Sequence, residues 1–173
     1  MITVRPAIEA DLPAILRIYN DEIATGTATW DEAPWTMDQR RAWFATHDDS
    51  QPVLVAEADG EVAGFACLTL MSGKSGWRFT REDTIYLDPA YRRHGVGRLL
   101  LETLLARARE LGLRLIVASI TSDNTASITL HRNAGFEVMG TMHNAGYKFG
   151  NWMDTTYMQL DLGVPAAELK THN

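Results

Sequence analysis

The run Arg92-Arg93-His94-Gly95-Val96-Gly97-Arg98 sets two glycines among four basic side chains, at the point where an apolar strand hands over to a long amphipathic helix. Backbone N–H groups and the positive end of the helix dipole converge there, which is the arrangement that holds a phosphate. A dinucleotide fingerprint needs a third glycine at position 100, where Leu100 stands. Gly73-Lys74-Ser75 looks like the end of a P-loop, but Leu68 occupies the place of that motif's first glycine and no helix is expected after Ser75. The five histidines are scattered, with no His-Glu-x-x-His pattern, and no metal site is expected. Glu82, just before an apolar strand, reads either as a solvated strand-edge carboxylate or as a general base. His131 can donate a proton at neutral pH or simply bind a ligand, and Asn124 suits a helix N-cap.

The elements that must carry these groups fit one domain. The chain has 173 residues, 46% of them hydrophobic, enough for one substantial core over residues 1–163 with 164–173 as a frayed tail. No apolar run is long enough to span a bilayer, and Met1-Ile2-Thr3-Val4-Arg5-Pro6 lacks a signal-peptide layout, so a cytoplasmic protein with no membrane partner is expected. Cys67, the single cysteine, sits in an apolar run and reads as a core residue. A net charge of −6 argues against nucleic-acid binding, while the basic cluster Arg92, Arg93, His94 and Arg98 suits a compact polyanion.

Residues 3–5 read as a first strand, and Asp11 as the cap of a helix through Leu12, Ile15, Leu16 and Tyr19. Thr36-Met37-Asp38-Gln39 has the capping-box pattern and opens a second helix. Between the two helices lies a loop containing Trp30. Strands at 53–56 and 62–66 flank Asp59-Gly60, a hairpin signal. A loop at 72–76 precedes a strand at 84–87, the longest helix at 96–111 stops at Gly112, and an apolar strand follows at 113–120. Asn124 opens a helix at 125–134 that stops at Gly135, and strands at 136–140 and 152–162 close the chain as an antiparallel pair. This order predicts an α/β fold, a mixed central sheet with flanking helices, whose central crossover joins strands 84–87 and 113–120 in parallel.

Arg92-Arg93-His94-Gly95-Val96-Gly97 resembles the coenzyme A pyrophosphate loop of the GNAT (GCN5-related N-acetyltransferase) superfamily, and the element order is similar to theirs over about residues 2–162. More narrowly, Glu82 before Ile85-Tyr86-Leu87-Asp88-Pro89, then Asn124-x-x-Ser127-x-x-Leu130-His131, Gly135-Phe136, Lys148-Phe149-Gly150-x-Trp152-x-Asp154 and Gln159-Leu160 resemble the phosphinothricin and methionine sulfone acetyltransferase branch. The resemblance implies the acyl-CoA N-acyltransferase fold and transfer of acetyl from acetyl-coenzyme A to the amine of a small molecule, an L-amino acid or analogue. Other acceptors, namely a protein N-terminus, a polyamine or an aminoglycoside, or a coenzyme A sensor without catalysis, are the alternatives.

It implies Glu82 as general base and His131 as acid or binder. The cofactor would be held by residues Arg92, Arg93, His94, Gly95, Val96, Gly97 and Arg98, by the backbone of Ile85, Tyr86 and Leu87 where two strands splay, and by Asn124 and Ser127. Arg78 would take a substrate carboxylate, with Trp30 and Trp77 as pocket walls, and a homodimer through the late strands is expected. Two departures stand out: Ser72-Gly73-Lys74-Ser75 where relatives carry a further arginine, and Arg81 in place of an apolar residue beside the base.

Overall fold

The computed structural model describes residues 1–163, so the tail expected at 164–173 lies outside the described residues. Seven strands form one mixed sheet in the order β1-β2-β3-β4-β5-β7-β6. They are β1 (Ile2–Pro6), β2 (Val53–Ala58), β3 (Glu61–Leu70), β4 (Thr80–Leu87), β5 (Leu115–Thr121), β6 (Glu137–Lys148) and β7 (Asn151–Asp161). Every neighbouring pair is antiparallel except β4 and β5, whose crossover is α3 (Val96–Glu110).

Each face of the sheet has its own core. On one, α3 buries Leu100, Leu101, Leu104, Leu105 and Ala108 against Ala66, Leu68, Ile116, Ala118 and Met158. On the other, Leu12, Ile15 and Ile18 of α1 (Leu12–Thr25) meet Val55, Phe65 and Cys67, with Trp43 and Phe44 of α2 (Met37–Ala45) packed alongside. Cys67 is buried there, and that burial pushes its thiol up to about 12. The last helix is α4 (Thr125–Asn133).

Local signals account for most of these boundaries. Thr36 and Gln39 close the capping box in both directions, at 3.3 and 2.7 Å. Asp59 (φ 54°) and Gly60 (φ 86°) form the β2–β3 turn, both in the left-handed conformation that a tight hairpin requires.

Three expectations need correction. Asp11 stands at the N-cap position of α1 but its side chain makes no capping bond: its carboxylate accepts the Ile8 N–H at 2.8 Å and is gripped by Arg5 at 2.8 and 2.9 Å, closing the turn before the helix. Strand β4 begins at Thr80, so Glu82 lies inside it and not ahead of it. Strand β6 continues to Lys148, well past residue 140.

Candidate active site

Strands β4 and β5 pair only from Thr80 opposite Leu115 to Asp83 opposite Ala118. Beyond that rung β4 follows β3, with Leu87 opposite Gly64, while β5 follows β7, with Thr121 opposite Thr155. The facing edges of residues 84–87 and 119–121 are therefore left without a strand partner. Backbone groups in such a position call for a ligand that can pair as a strand does. The wedge is kept slim by glycine: a Cβ on Gly64 would lie 2.6 Å from Leu87 Cδ2, and one on Gly97 would lie 3.2 Å from Leu87 Cδ1.

The loop at the mouth of this wedge is fixed at both ends. Asp88 accepts the Ala90 N–H at 2.8 Å and pairs with Arg17 at 2.7 Å, which holds the turn before the loop against α1. Arg93 (φ 66°) and Gly95 (φ 84°) then adopt left-handed conformations, and Leu99 makes the first helical bond, to the Gly95 carbonyl. Among the described residues no hydrogen bond uses the N–H groups of Arg93 to Arg98, so these donors and the α3 dipole are available to an anion. Arg93 and His94 are exposed, Arg98 pairs with Glu102 at 3.2 Å, and Arg92 reaches Glu22 at 3.1 Å. Nothing crowds the open side of Gly95.

Side chains alternate across a strand, and the two cores fix which way each points. Asp83, Ile85 and Leu87 lie on the α3/α4 face; Glu82 and Tyr86 lie on the α1/α2 face, together with Val117, Ser119 and Thr121 of β5 and Tyr157 and Gln159 of β7. The Tyr86 ring is committed to packing, 5.1 Å from Tyr19 and 5.4 Å from Phe65, which leaves its main chain for the wedge. Glu82 is half-buried beside Thr69 and Val117, and its carboxylate makes no hydrogen bond among the described residues. Burial, and next to it the negative charge of Asp83, raise its pKa above the ordinary carboxylate range. An unpaired carboxylate with a raised pKa is suited to taking a proton. Ser119, Tyr157 and Gln159 were not singled out from the sequence as site residues; only the register reveals that they share this face with Glu82.

On the opposite face Asn124 caps α4, accepting the Ser127 N–H at 3.0 Å. His131 is buried with both ring nitrogens taken, Nε2 by Asp83 Oδ2 at 2.9 Å and Nδ1 by the Ser127 carbonyl at 2.8 Å. It presents no free nitrogen to the wedge.

The three expected acceptor residues are not gathered in one place. Trp30 donates to Thr121 Oγ1 at 3.1 Å, at the far end of β5, while Trp77 and Arg78 precede β4 near Leu115, where β5 begins. At about 3.3 Å per residue these groups stand roughly 20 Å apart along the strand, with Glu82 between them. Arg78 is exposed, its guanidinium 4.4 Å over the Phe79 ring, and it pairs with no carboxylate among the described residues. Trp77 is 44% exposed.

The loop holding Trp30 forms a strap. Buried Lys148 donates to the carbonyls of Gly26 at 2.8 Å and Thr29 at 2.7 Å, and Glu22 accepts the Ala28 N–H at 2.9 Å. Further along, a cavity of about 410 Å³ opens between Thr27, Thr121 to Asp123, Lys148, Phe149 and Asn151 to Asp154. Lys148 belonged to a motif that was legible in the sequence; its carbonyl partners, some 120 residues away, were not.

Comparison with known proteins bears directly on this arrangement. The family described as "Acetyltransferase (GNAT) family" matches residues 15–136, which is most of the chain and includes the wedge, the loop and α4. The chain belongs to the acetyltransferase (GNAT) family. The chain is 46% identical, over 162 residues, to the L-methionine sulfoximine/L-methionine sulfone acetyltransferase of Pseudomonas aeruginosa, covering 92% of this chain and 94% of that one. It is 43% identical to the phosphinothricin N-acetyltransferase of Alcaligenes faecalis, over 94% of this chain and 83% of the relative. A solved acetyltransferase structure from Salmonella typhimurium, described with its cofactor acetyl-CoA, superposes with a TM-score of 0.93 at 40% identity and 99% coverage of both chains. The α/β fold with its mixed sheet is thus that of the GNAT acetyltransferases. Among the described residues no three His, Cys, Asp or Glu side chains form a group that could hold a metal, and no helix is long and apolar enough to cross a membrane.

Proposed function

We propose that this acetyltransferase moves the acetyl group of acetyl-coenzyme A onto the α-amino group of an L-amino acid or analogue, such as methionine sulfone, methionine sulfoximine or phosphinothricin, with Glu82 as the general base. The observation that carries the reading is Glu82 itself, a half-buried carboxylate with no hydrogen-bond partner among the described residues, on β4 at the rung before the last one shared with β5. The acceptor class is supported by the relatives' names.

The wedge and loop fit the coenzyme: unpaired strand edges at residues 84–87 and 119–121 match an arm that pairs like a strand, and six free N–H groups match a diphosphate. When bound, acetyl-coenzyme A supplies a thioester carbonyl for the amine to attack and a thiolate as leaving group. Residues Arg92 to Arg98 would hold the diphosphate, with Asn124 and Ser127 flanking the arm. A backbone N–H at Tyr86 or Leu87 would stabilise the developing oxyanion, a contribution of about 3 kcal/mol for a well-placed donor. Glu82 accepts the amine's proton, directly or through one water; an α-ammonium of pKa about 8 needs only modest help. Arg78, at one end of this face, would take the acceptor's carboxylate in bidentate fashion with Trp77 beside it, whereas Trp30, roughly 20 Å along the strand, lies beyond the reach of the same small acceptor. With both nitrogens engaged, His131 acts by position and not as an acid.

A homodimer is part of this reading. Val138, Met139, Met142, Tyr147, Phe149 and Trp152 leave an exposed apolar surface on β6, β7 and the turn between them, and sedimentation velocity would read the mass directly. An enzyme drawing on acetyl-coenzyme A is proposed to work in the cytoplasm, where that co-substrate is found.

The test is thiol release from acetyl-coenzyme A against a panel of amines. Turnover with methionine sulfone, methionine sulfoximine or phosphinothricin well above that with peptides, polyamines and aminoglycosides supports the acceptor class. Turnover confined to one of those other amines replaces it, and tight coenzyme binding without release to any amine makes the protein a sensor.

A further inference from the structure

Nothing in the proposed chemistry uses Asp83, yet its contact with His131 is the most buried ion pair among the described residues. Its side chain is 1% exposed and that of His131 is 4% exposed, with Nε2 and Oδ2 2.9 Å apart. Apolar neighbours enclose the pair: Leu68 of β3 and Ala118 of β5 share rungs with Asp83 on this face, and Phe136 stacks edge-on to His131 at 5.0 Å. The Ser127 carbonyl has no proton to give, so Nδ1 must carry one, and the Nε2 to Oδ2 bond holds a second. Burial works to lower the His131 pKa, but the hydrogen bond and charge of Asp83, helped by the Ser127 carbonyl, outweigh it and raise the value. The bonds thus place two protons among Asp83, His131 and the Ser127 carbonyl, and the raised pKa of His131 favours the imidazolium form.

Stability alone does not explain such a pair, because an apolar pair of similar volume commonly serves as well or better. Its place in the fold is more telling. Asp83 sits on the last rung that β4 shares with β5, next to Glu82 and facing the opposite way. His131 is the one buried residue of α4, whose first turn carries Ser127 and whose cap is Asn124. Hydrogen bonds link Asp83 to His131, His131 to the Ser127 carbonyl, and the Ser127 N–H to the Asn124 side chain.

We propose that Asp83 and His131 are a positioning pair that locks α4, and with it Asn124 and Ser127, to the apex of the wedge. The assignment rests on the coenzyme reading above. No other titratable group faces the pair from β3, β5 or α3, whose contributions to this face are apolar, and on the other side Glu82 has only Thr69 and Val117 on its own rungs.

Two measurements on the folded protein separate this from a merely structural role. Nitrogen-15 spectra of wild-type histidines at pH 7.5 should show His131 protonated on both nitrogens; a single neutral tautomer overturns the pair. The double variant Asp83→Leu with His131→Leu keeps the site filled and is expected to fold with an unchanged or higher melting temperature. Its acetyl-coenzyme A dissociation constant should rise by about tenfold, the scale of a small misplacement of binding groups. Wild-type affinity in that variant overturns the proposal. Asp83→Asn adds a readout that packing does not move: without the carboxylate His131 loses the main cause of its raised pKa, so its nitrogen-15 shifts at pH 7.5 should become those of a neutral ring, and a ring still protonated on both nitrogens overturns the pair. The spectra and the binding constant do not depend on Glu82 being the base, so an inert Glu82→Gln substitution would sink the mechanism above and leave these results standing.

Discussion

The guanidinium of Arg92 lies 3.1 Å from the Glu22 carboxylate, whose other oxygen accepts the Ala28 N–H at 2.9 Å. One side chain of α1 thereby ties the loop of residues 92–98 to the strap that holds Trp30. The carboxylate lies so close over Gly26 that a Cβ there would overlap it. Glu22→Ala should free both partners at once. Because Arg92 is half exposed, its share is screened and the half-buried Ala28 bond dominates, worth on the order of 1 kcal/mol or about fivefold. The expected outcome is a several-fold rise in acceptor KM at saturating acetyl-coenzyme A with kcat nearly unchanged, read from steady-state kinetics.

Glu82→Gln separates chemistry from binding. Loss of a general base lowers kcat by about 10² to 10⁴, while acetyl-coenzyme A affinity measured by calorimetry should hold. In the wild type only the carboxylate accepts a proton, so kcat/KM should fall as pH drops through a value above the ordinary glutamate range. The same shift has a stability consequence of definite sign. A carboxyl whose folded pKa is raised favours folding while protonated, an advantage fully present below the unfolded value of about 4.3 and lost as pH rises through the folded one. At pH 7 the charged form is a burden, and Glu82→Gln should melt at a higher temperature than wild type, the gap closing toward pH 4.

Gly146 sits under the Trp30 indole so closely that a Cβ would overlap the ring. Gly146→Ala must push Trp30 off its bond to Thr121 or bend β6. Overpacking of this kind costs about 1 to 3 kcal/mol, and urea denaturation should register it. Tryptophan fluorescence should shift with it, and an unchanged spectrum and midpoint would mean that the ring has another place to go.

Much of this architecture is written locally. The capping box at Thr36, the Asp59-Gly60 turn, the Asn124 cap and the glycines after α3 and α4 each act through neighbours a few residues away, and the order of elements follows from them. The start of β4 escaped because Arg81-Glu82-Asp83 interrupts the apolar alternation, although Arg81 and Asp83 are buried. That one boundary concealed the most: without it Glu82 and Asp83 have no assigned faces, and the partnership of Asp83 with His131, 48 residues on, cannot be anticipated. The far half of β6 escaped for a different reason. Its register shifts between Met142 and Gly146, and Asn144 has φ 51°, so no clean two-residue period survives.

Arg40 of α2 is buried, with Nε and Nη2 lacking a hydrogen-bond partner among the described residues and its guanidinium 4.4 Å from the Trp35 ring, 4.5 Å from Trp43 and 4.6 Å from Tyr19. Burial holds its pKa down. Each desolvated cation–π contact contributes up to about 2 kcal/mol, whereas each orphaned N–H costs about 1 to 3 kcal/mol, so the two sides nearly cancel. Arg40→Met, which keeps the volume and removes both terms, should therefore leave stability within about 1 kcal/mol of wild type. Arg40→Lys keeps a charge but loses the flat surface that lies against three rings, and should be the less stable of the two in urea. If the lysine variant proves the more stable, stacking is not what holds the arginine there, and the positive charge itself must be the needed feature beside Tyr19, whose hydroxyl donates to Asp31 at 2.8 Å and anchors the strap.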